Sequence, residues 1–273
     1  MKKRTLSTLV VVIFLFGIFG NFSSRLNATS ESTIRTYNIV GQGVGTLIRG
    51  LIQGKVKSVK SAAKMLFWGS LSGYGFYESK KMIGEGLVTK GIILANISAS
   101  ITENTARGDN PFAYLGYTLG PARIQVATPL AGKDKTLFNV QISPMDAIGF
   151  AIAMSRADSV SFRNGMISFE ANEAFTGNAR GWALGIYPTV VTGVPEHVFY
   201  HESIHVVQYI QTMSVSPQPL NCLLDRGIEG KKLFNISLLN FNFAAILNGF
   251  TLNDKNPNVE IWNEIEAYAL AKE

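Results

Sequence analysis

All three histidines of this chain fall within nine residues, in the run His197-Val-Phe-Tyr-His201-Glu202-Ser-Ile-His205-Val-Val-Gln208. Residues 201–205 spell HExxH. On a helix, residues four apart lie one above the other with Cβ atoms about 5–6 Å apart, so His201 and His205 can turn two imidazole nitrogens towards one metal ion. The pattern therefore demands a helix here, and a fold that brings another ligand to it. Glu202 stands beside the same ion, and in HExxH hydrolases this glutamate takes a proton from the water that the metal activates. The competing reading is a solvated helix that carries these residues without a ligand.

A catalytic zinc site uses three protein ligands and keeps a fourth position for water, which leaves one ligand to find. His197 shares a stripe with His201, His205 and Gln208. Eight residues of helix put it about 12 Å along the axis from His205, however, too far for both to reach one ion at about 2 Å. It is read as a neighbour of the site or a packed residue. Gln208 and Gln211 occupy the glycine and histidine places of an HExxHxxGxxH site, and no further histidine exists. The third ligand is therefore a carboxylate or, as the lesser alternative, Cys222.

A chain of 273 residues, 47% hydrophobic and 16% charged, can bury a core, which argues against disorder. A mean hydropathy of +0.17 and 26 glycines lean towards dense packing or membrane contact. The net charge of +6 comes without a basic cluster interleaved with aromatics, so no nucleic-acid partner is expected, and a basic surface facing anionic lipid fits better. Gly41-Gln-Gly43-Val-Gly45 has Thr46 where a dinucleotide loop needs its third glycine, and no strand-helix-strand unit surrounds it, so no nucleotide is expected either. Cys222, the single cysteine, has no partner for an intramolecular disulfide, and no cysteine follows the N-terminal apolar run for lipid attachment.

Met1-Lys2-Lys3-Arg4 followed by an apolar run over residues 6–19 reads as a signal peptide or N-terminal membrane anchor covering residues 1–24, and residues 25–36 read as a polar linker. Residues 37–107 form a Gly-rich region with helical periodicity. Within it, residues 65–77 are apolar and aromatic, with Gly69 and Gly73 four apart. Lys64 in front and Glu78 behind make this segment too short to span a bilayer, so helices covering the catalytic half are expected, with contact at a membrane surface as the second choice. Gly108-Asp109-Asn110-Pro111 marks the boundary with a catalytic region over 108–273.

In that region residues 122–127 and 137–142 read as strands. A helix starts at Ser143-Pro144 and runs to about Arg156, and Val160 to Phe162 pairs with Met166 to Phe169 around Asn164-Gly165. Residues 182–191 read as one strand leading into the HExxH helix, whose apolar face holds Val198, Val206, Tyr209, Ile210 and Met213. Pro217 and Pro219 end it. Residues 233–250 read as a core helix, residues 253–257 as a loop, and a last helix follows from near Asn258. The fold class expected is α+β: a mainly helical N-terminal half, a small sheet before the HExxH helix, and a C-terminal ligand helix.

The segments His201-Glu202-Ser-Ile-His205 with Gln208, and Asn263-Glu264-Ile-Glu266-Ala267-Tyr268-Ala-Leu-Ala271, resemble the gluzincin group of zinc metallopeptidases, the thermolysin-like architecture. The resemblance implies that Glu264, which matches the first glutamate of Glu-x-x-Ala, is the third ligand. Tyr268 replaces the acid or amide that in those families orients a ligand histidine. Helix geometry favours Glu264 independently, since Glu260, Glu264, Ala267, Tyr268 and Ala271 share one face and Glu266 points elsewhere.

These observations predict an exported zinc-dependent hydrolase, a metallopeptidase holding one Zn²⁺ through His201, His205 and Glu264, with Glu202 as the catalytic base. His197, Gln208, Tyr268, Glu260 and Glu266 are placed around the ligands. A peptide or protein is the substrate expected, and the strand leading into the motif is expected to pair with it. Tyr209, Tyr268 and Arg226 are candidates for steadying the developing oxyanion. The alternative is a non-catalytic envelope or membrane-surface protein with a structural or vestigial metal site. A motif lying inside the bilayer is disfavoured, because Glu196, His197, Gln208 and Gln211 would all be costly at that depth.

Overall fold

Ser30 accepts a hydrogen bond from the Thr33 amide at 3.3 Å, satisfying one of the open amides of a helix start, and α1 (Glu31–Ile52) begins behind it. The helix thus starts inside the stretch 25–36 read as linker: a Ser/Thr-rich run is also the composition that caps helices. The structure, a computed structural model, describes residues 30–132, 136–172, 180–216, 222–228, 231–238 and 262–271. The leader read at 1–24 and the loop read at 253–257 lie outside the described residues.

A capping box between Ser58 and Ser61 starts α2 (Val59–Gly84), and α3 (Val88–Ala106) follows after a turn at Gly86, where φ is +82°. Glycines let α1 and α2 touch closely. A Cβ on Gly73 would strike the Asn38 carbonyl, and one on Gly69 would lie 2.5 Å from the Thr46 hydroxyl.

After the loop at 108–111 come β1 (Tyr114–Leu119), β2 (Ala122–Ala127) and β3 (Phe138–Ile142), then α4 (Pro144–Arg156), which is capped by Ser143. Strands β4 (Ser159–Arg163) and β5 (Met166–Ala171) form a hairpin around Asn164-Gly165, both at positive φ (52° and 83°), the backbone that an Asn-Gly turn supplies.

The stretch read as a single strand over 182–191 is two strands, β6 (Gly181–Leu184) and β7 (Tyr187–Val191), folded back on each other with Leu184 opposite Tyr187. Gly185, with φ at +65°, makes the two-residue turn. Its run of apolar neighbours hid the turn from the sequence pattern. The order in this sheet is β4-β5-β7-β6, so β7 is internal and β6 lies at the edge.

The HExxH helix is α5 (Glu196–Val215). Beyond it lie β8 (Cys222–Ile228), β9 (Lys231–Leu238) and α6 (Trp262–Leu270). Residues 233–238 are therefore strand and not the start of a helix. Phe234, Ile236 and Leu238 alternate with Asn235 and Ser237, a period of two that the longer apolar run obscured, and residues 239–250 lie outside the described residues. Strand β9 runs parallel to β3 and completes a second sheet, β1-β2-β3-β9-β8, in which β1 and β8 were not foreseen.

Mixed α+β architecture results, with α5 between two supports. On one side stand α1–α3, and on the other β6 and β7. One apolar cluster runs through Ile34, Phe76, Ile83 and Ile92 from the N-terminal helices, Ile204, Val207 and Ile210 from α5, and Phe169 and Tyr187 from the four-stranded sheet. Burying each of these side chains contributes about 1.5–3 kcal/mol, so the motif helix is held from both sides.

Candidate metal centre

Helix α5 is fixed at both ends. At its N-terminus Arg163 of the β4–β5 hairpin pairs with Glu196 at 2.6 Å and lies 4.5 Å from the centre of the Phe199 ring. At its C-terminus Gln42 of α1 donates to the Ser214 hydroxyl at 2.8 Å. Between these anchors His201 and His205 face the same way, as their spacing predicts, with Nε2 atoms 3.0 Å apart.

Glu264 in the first turn of α6 completes the group. Its Oε2 lies 3.3 Å from His201 Nε2 and its Oε1 3.3 Å from His205 Nε2. Ligand atoms from all three residues fall within 4.8 Å of one another. Donors at about 2.0–2.1 Å from a tetrahedral ion stand about 3.3–3.4 Å apart, so the spacing of His201, His205 and Glu264 is close to what one metal ion needs. Two imidazoles and one carboxylate suit a divalent ion of borderline softness.

The surroundings fix the ligand orientation. His205 Nδ1 lies 2.7 Å from Gln208 Oε1, so Nδ1 carries a proton and, with an ion bound, Nε2 can offer its lone pair. Gln208 in turn donates from Nε2 to Glu266 Oε2 at 2.8 Å and to the Asn263 carbonyl at 2.9 Å. Glu266 is buried and accepts from Asn38 at 2.6 Å and from Lys80 at 2.7 Å, while Lys80 also donates to Asn38 and Gln211. Glu266 does point away from the ion, as helix periodicity predicts, but into the core: it ties the ligand helix to α1 and α2. That use of Lys80 and Asn38, far away in sequence, left no local signal.

Glu202 is buried beside the group. Burial pushes its pKa up to about 7, the His205 charge opposes this and the Glu264 charge adds to it. Its carboxylate lies under the edge strand, where a Cβ on Gly181 would come 2.8 Å from Oε1. Hydrogen bonds from His201 and His205 hold Glu264 well below the usual carboxylate range. For His205, burial disfavours the charged ring, but the hydrogen bond and charge of Glu264 outweigh it and the net shift is upward. A cation between them would take over the role of those protons.

No family model matches the chain, and neither a curated protein nor a solved structure matches it. The gluzincin resemblance accordingly rests on the two motif segments alone.

His197 is half-buried in the first turn of α5 and does not join the ligand group. Tyr268 is largely exposed, and its ring centre lies 4.5 Å from that of His201, so it packs against a ligand ring instead of hydrogen-bonding to it as an acid would. Tyr209 is hydrogen-bonded to Asp146 of α4, a structural role. Glu260 lies outside the described residues. Arg226 lies on β8, and Cys222 opens that strand.

Proposed function

We propose that the protein is an exported zinc-dependent hydrolase, most simply a metallopeptidase. The observation that carries this reading is the convergence of His201, His205 and Glu264 at 3.0–3.3 Å with the buried carboxylate of Glu202 next to them. Two histidines and a glutamate are the donor set of a catalytic zinc, and bound there the ion supplies Lewis acidity to a water and to the scissile carbonyl. Export is supported by the basic start and apolar run of residues 1–24.

The chain's own groups perform the proton work. Glu202, buried beside the ligand group, takes a proton from the attacking water and can pass it to the leaving amine. Gln208 keeps the His205 ring in one tautomer while charge changes around it. Strand β6 starts at Gly181 over Glu202 and forms the edge of its sheet among the described residues. An extended peptide can add to that edge by backbone hydrogen bonds, with its scissile bond beside Glu202. This assigns to β6 the substrate-pairing role that sequence reasoning gave to the strand ending at Val191, since β7 has neighbours on both sides.

The test compares purified wild type with Glu202→Gln for metal content and for cleavage of a peptide library. Glu202→Gln is expected to keep its metal and lose turnover by at least about a hundredfold. Equal cleavage by both proteins would remove Glu202 from the mechanism. Metal-loaded wild type without any cleavage would favour the non-catalytic envelope reading.

A further inference from the structure

Beside the apolar cluster, parts of the N-terminal helices and of strands β1–β3 turn polar side chains inward and apolar ones outward. Helix α1 turns Asn38, Gln42, Thr46 and Arg49 inward and leaves Val40 and Ile52 exposed. Helix α2 buries Ser72, Ser79 and Lys80, and exposes Leu66, Phe67, Leu71 and Tyr74, with Phe67 63% accessible. On α3, Asn96, Ser100 and Glu103 are buried while Ile93 and Ile97 are exposed. The sheet repeats the arrangement: Thr118, Arg123, Gln125 and Gln141 face α3, and Leu115, Leu119, Ile124 and Val126 face outward.

Many of these interior polar groups are matched to one another, although Arg49 Nε and Thr105 Oγ1 are buried without a hydrogen-bond partner. Arg123, 1% exposed, donates to Glu103, Asn96, Thr118 and Ser100, each at 3.0 Å. Gln42 and Ser72 meet on the Thr102 hydroxyl at 2.9 and 2.7 Å. In water such an arrangement exposes apolar surface and desolvates polar groups, both unfavourable. In hydrocarbon both signs reverse: polar side chains must pair inside, small residues bring helices together, and apolar side chains belong outside.

We propose that these outer faces of α1–α3 and β1–β3 contact the acyl chains of a bilayer. From Lys64 to Glu78 the α2 face is about 21 Å long, and the six-residue strands β1 and β2 are about 20 Å, so helix and strands offer apolar stretches of similar length. This exceeds one leaflet of a hydrocarbon layer about 30 Å thick. The exposed Lys55, Lys57, Lys60 and Lys64 crowd one end of the α1–α2 pair, in reach of anionic headgroups. Next to them, Phe67, Trp68 and Phe112 stack edge to face at 5.3 and 5.6 Å, the residue type that settles at a membrane interface. Among the described residues no single helix is long and apolar enough to cross a membrane, because each gives one face to the polar interior. The apolar character belongs to the assembled surface. This inference is independent of the metal-site reading.

The test places a nitroxide label on Phe67→Cys, Leu71→Cys, Leu115→Cys, Val126→Cys and, as a water-facing control, Thr192→Cys. Each is made in the full chain with Cys222→Ser and checked for folding by circular dichroism. The proteins are reconstituted in phosphatidylcholine–phosphatidylglycerol vesicles, and collision rates with oxygen and with a water-soluble nickel chelate are measured. Oxygen is expected to dominate at the four band positions and the nickel chelate at Thr192. Nickel dominating at the band positions would overturn the proposal. So would protection from both reagents there, which would mean that a second copy or another part of the chain covers these faces.

Discussion

Lys80 donates to Glu266 across 2.7 Å inside the core, and this buried pair joins the Gly-rich helices to the helix that carries Glu264. Through Gln208 the same carboxylate reaches His205. Glu266→Ala would leave the Lys80 charge buried with only amide partners, a loss of about 3–5 kcal/mol for breaking a buried pair. Metal affinity is expected to fall about 10–100-fold as Gln208 loses its anchor. Urea denaturation and a zinc titration of the same variant check the two effects. Near-wild-type values in both would mean that the pair is dispensable.

Gly84 ends α2 directly against the C-terminus of α6, where a Cβ would collide with the Leu270 carbonyl oxygen. Backbone cannot swing aside as a side chain does. Gly84→Ala is expected to push α6 outward, lowering stability by about 1–3 kcal/mol despite the better helix propensity of alanine. Because α6 carries Glu264, the metal midpoint should shift in parallel. Ala63→Gly, at an exposed position of the same helix, is the comparison that lowers propensity without moving α6.

The motif helix was legible in the sequence because its chemistry and its periodicity agree: His201 and His205 lie on one face, and Val206, Ile210 and Met213 on another. Glu264 was legible because it matches the first glutamate of the Glu-x-x-Ala resemblance and shares a helix face with Ala267 and Ala271. The Asn164-Gly165 hairpin was equally plain. What escaped were features set by tertiary context. Gly185 makes a turn inside an apolar run, and β9 alternates within a longer hydrophobic stretch. The inward polar stripe of Asn38, Gln42, Thr46 and Arg49 has helical periodicity, but periodicity does not state which face is inside. Glu266 was placed off the metal side correctly, yet its partner Lys80 is distant in the chain, and no local pattern points to it.

Asp146 supplies a pH dependence separate from the metal. Burial raises its pKa from 3.8 to about 6, partly offset by hydrogen bonds from Ser143 and Tyr209. A carboxyl with a raised folded-state pKa binds its proton more tightly when folded. The stability it contributes is therefore complete below about pH 4 and is lost as pH rises through about 6. Two units correspond to about 3 kcal/mol. The denaturation midpoint of wild type, measured from pH 4 to 7, should fall relative to Asp146→Asn by that order. A constant difference between the two proteins across the range would contradict it.

The central claim is that two helices, 59 residues apart from His205 to Glu264, close on one ion. Calorimetric zinc titration of wild type, Glu264→Ala and Glu264→Gln tests it most directly. Wild type is expected to bind one ion, Glu264→Ala to lose at least about a hundredfold in affinity with only His201 and His205 left, and Glu264→Gln, which lacks the charge, to recover little. Undiminished affinity in Glu264→Ala would contradict it.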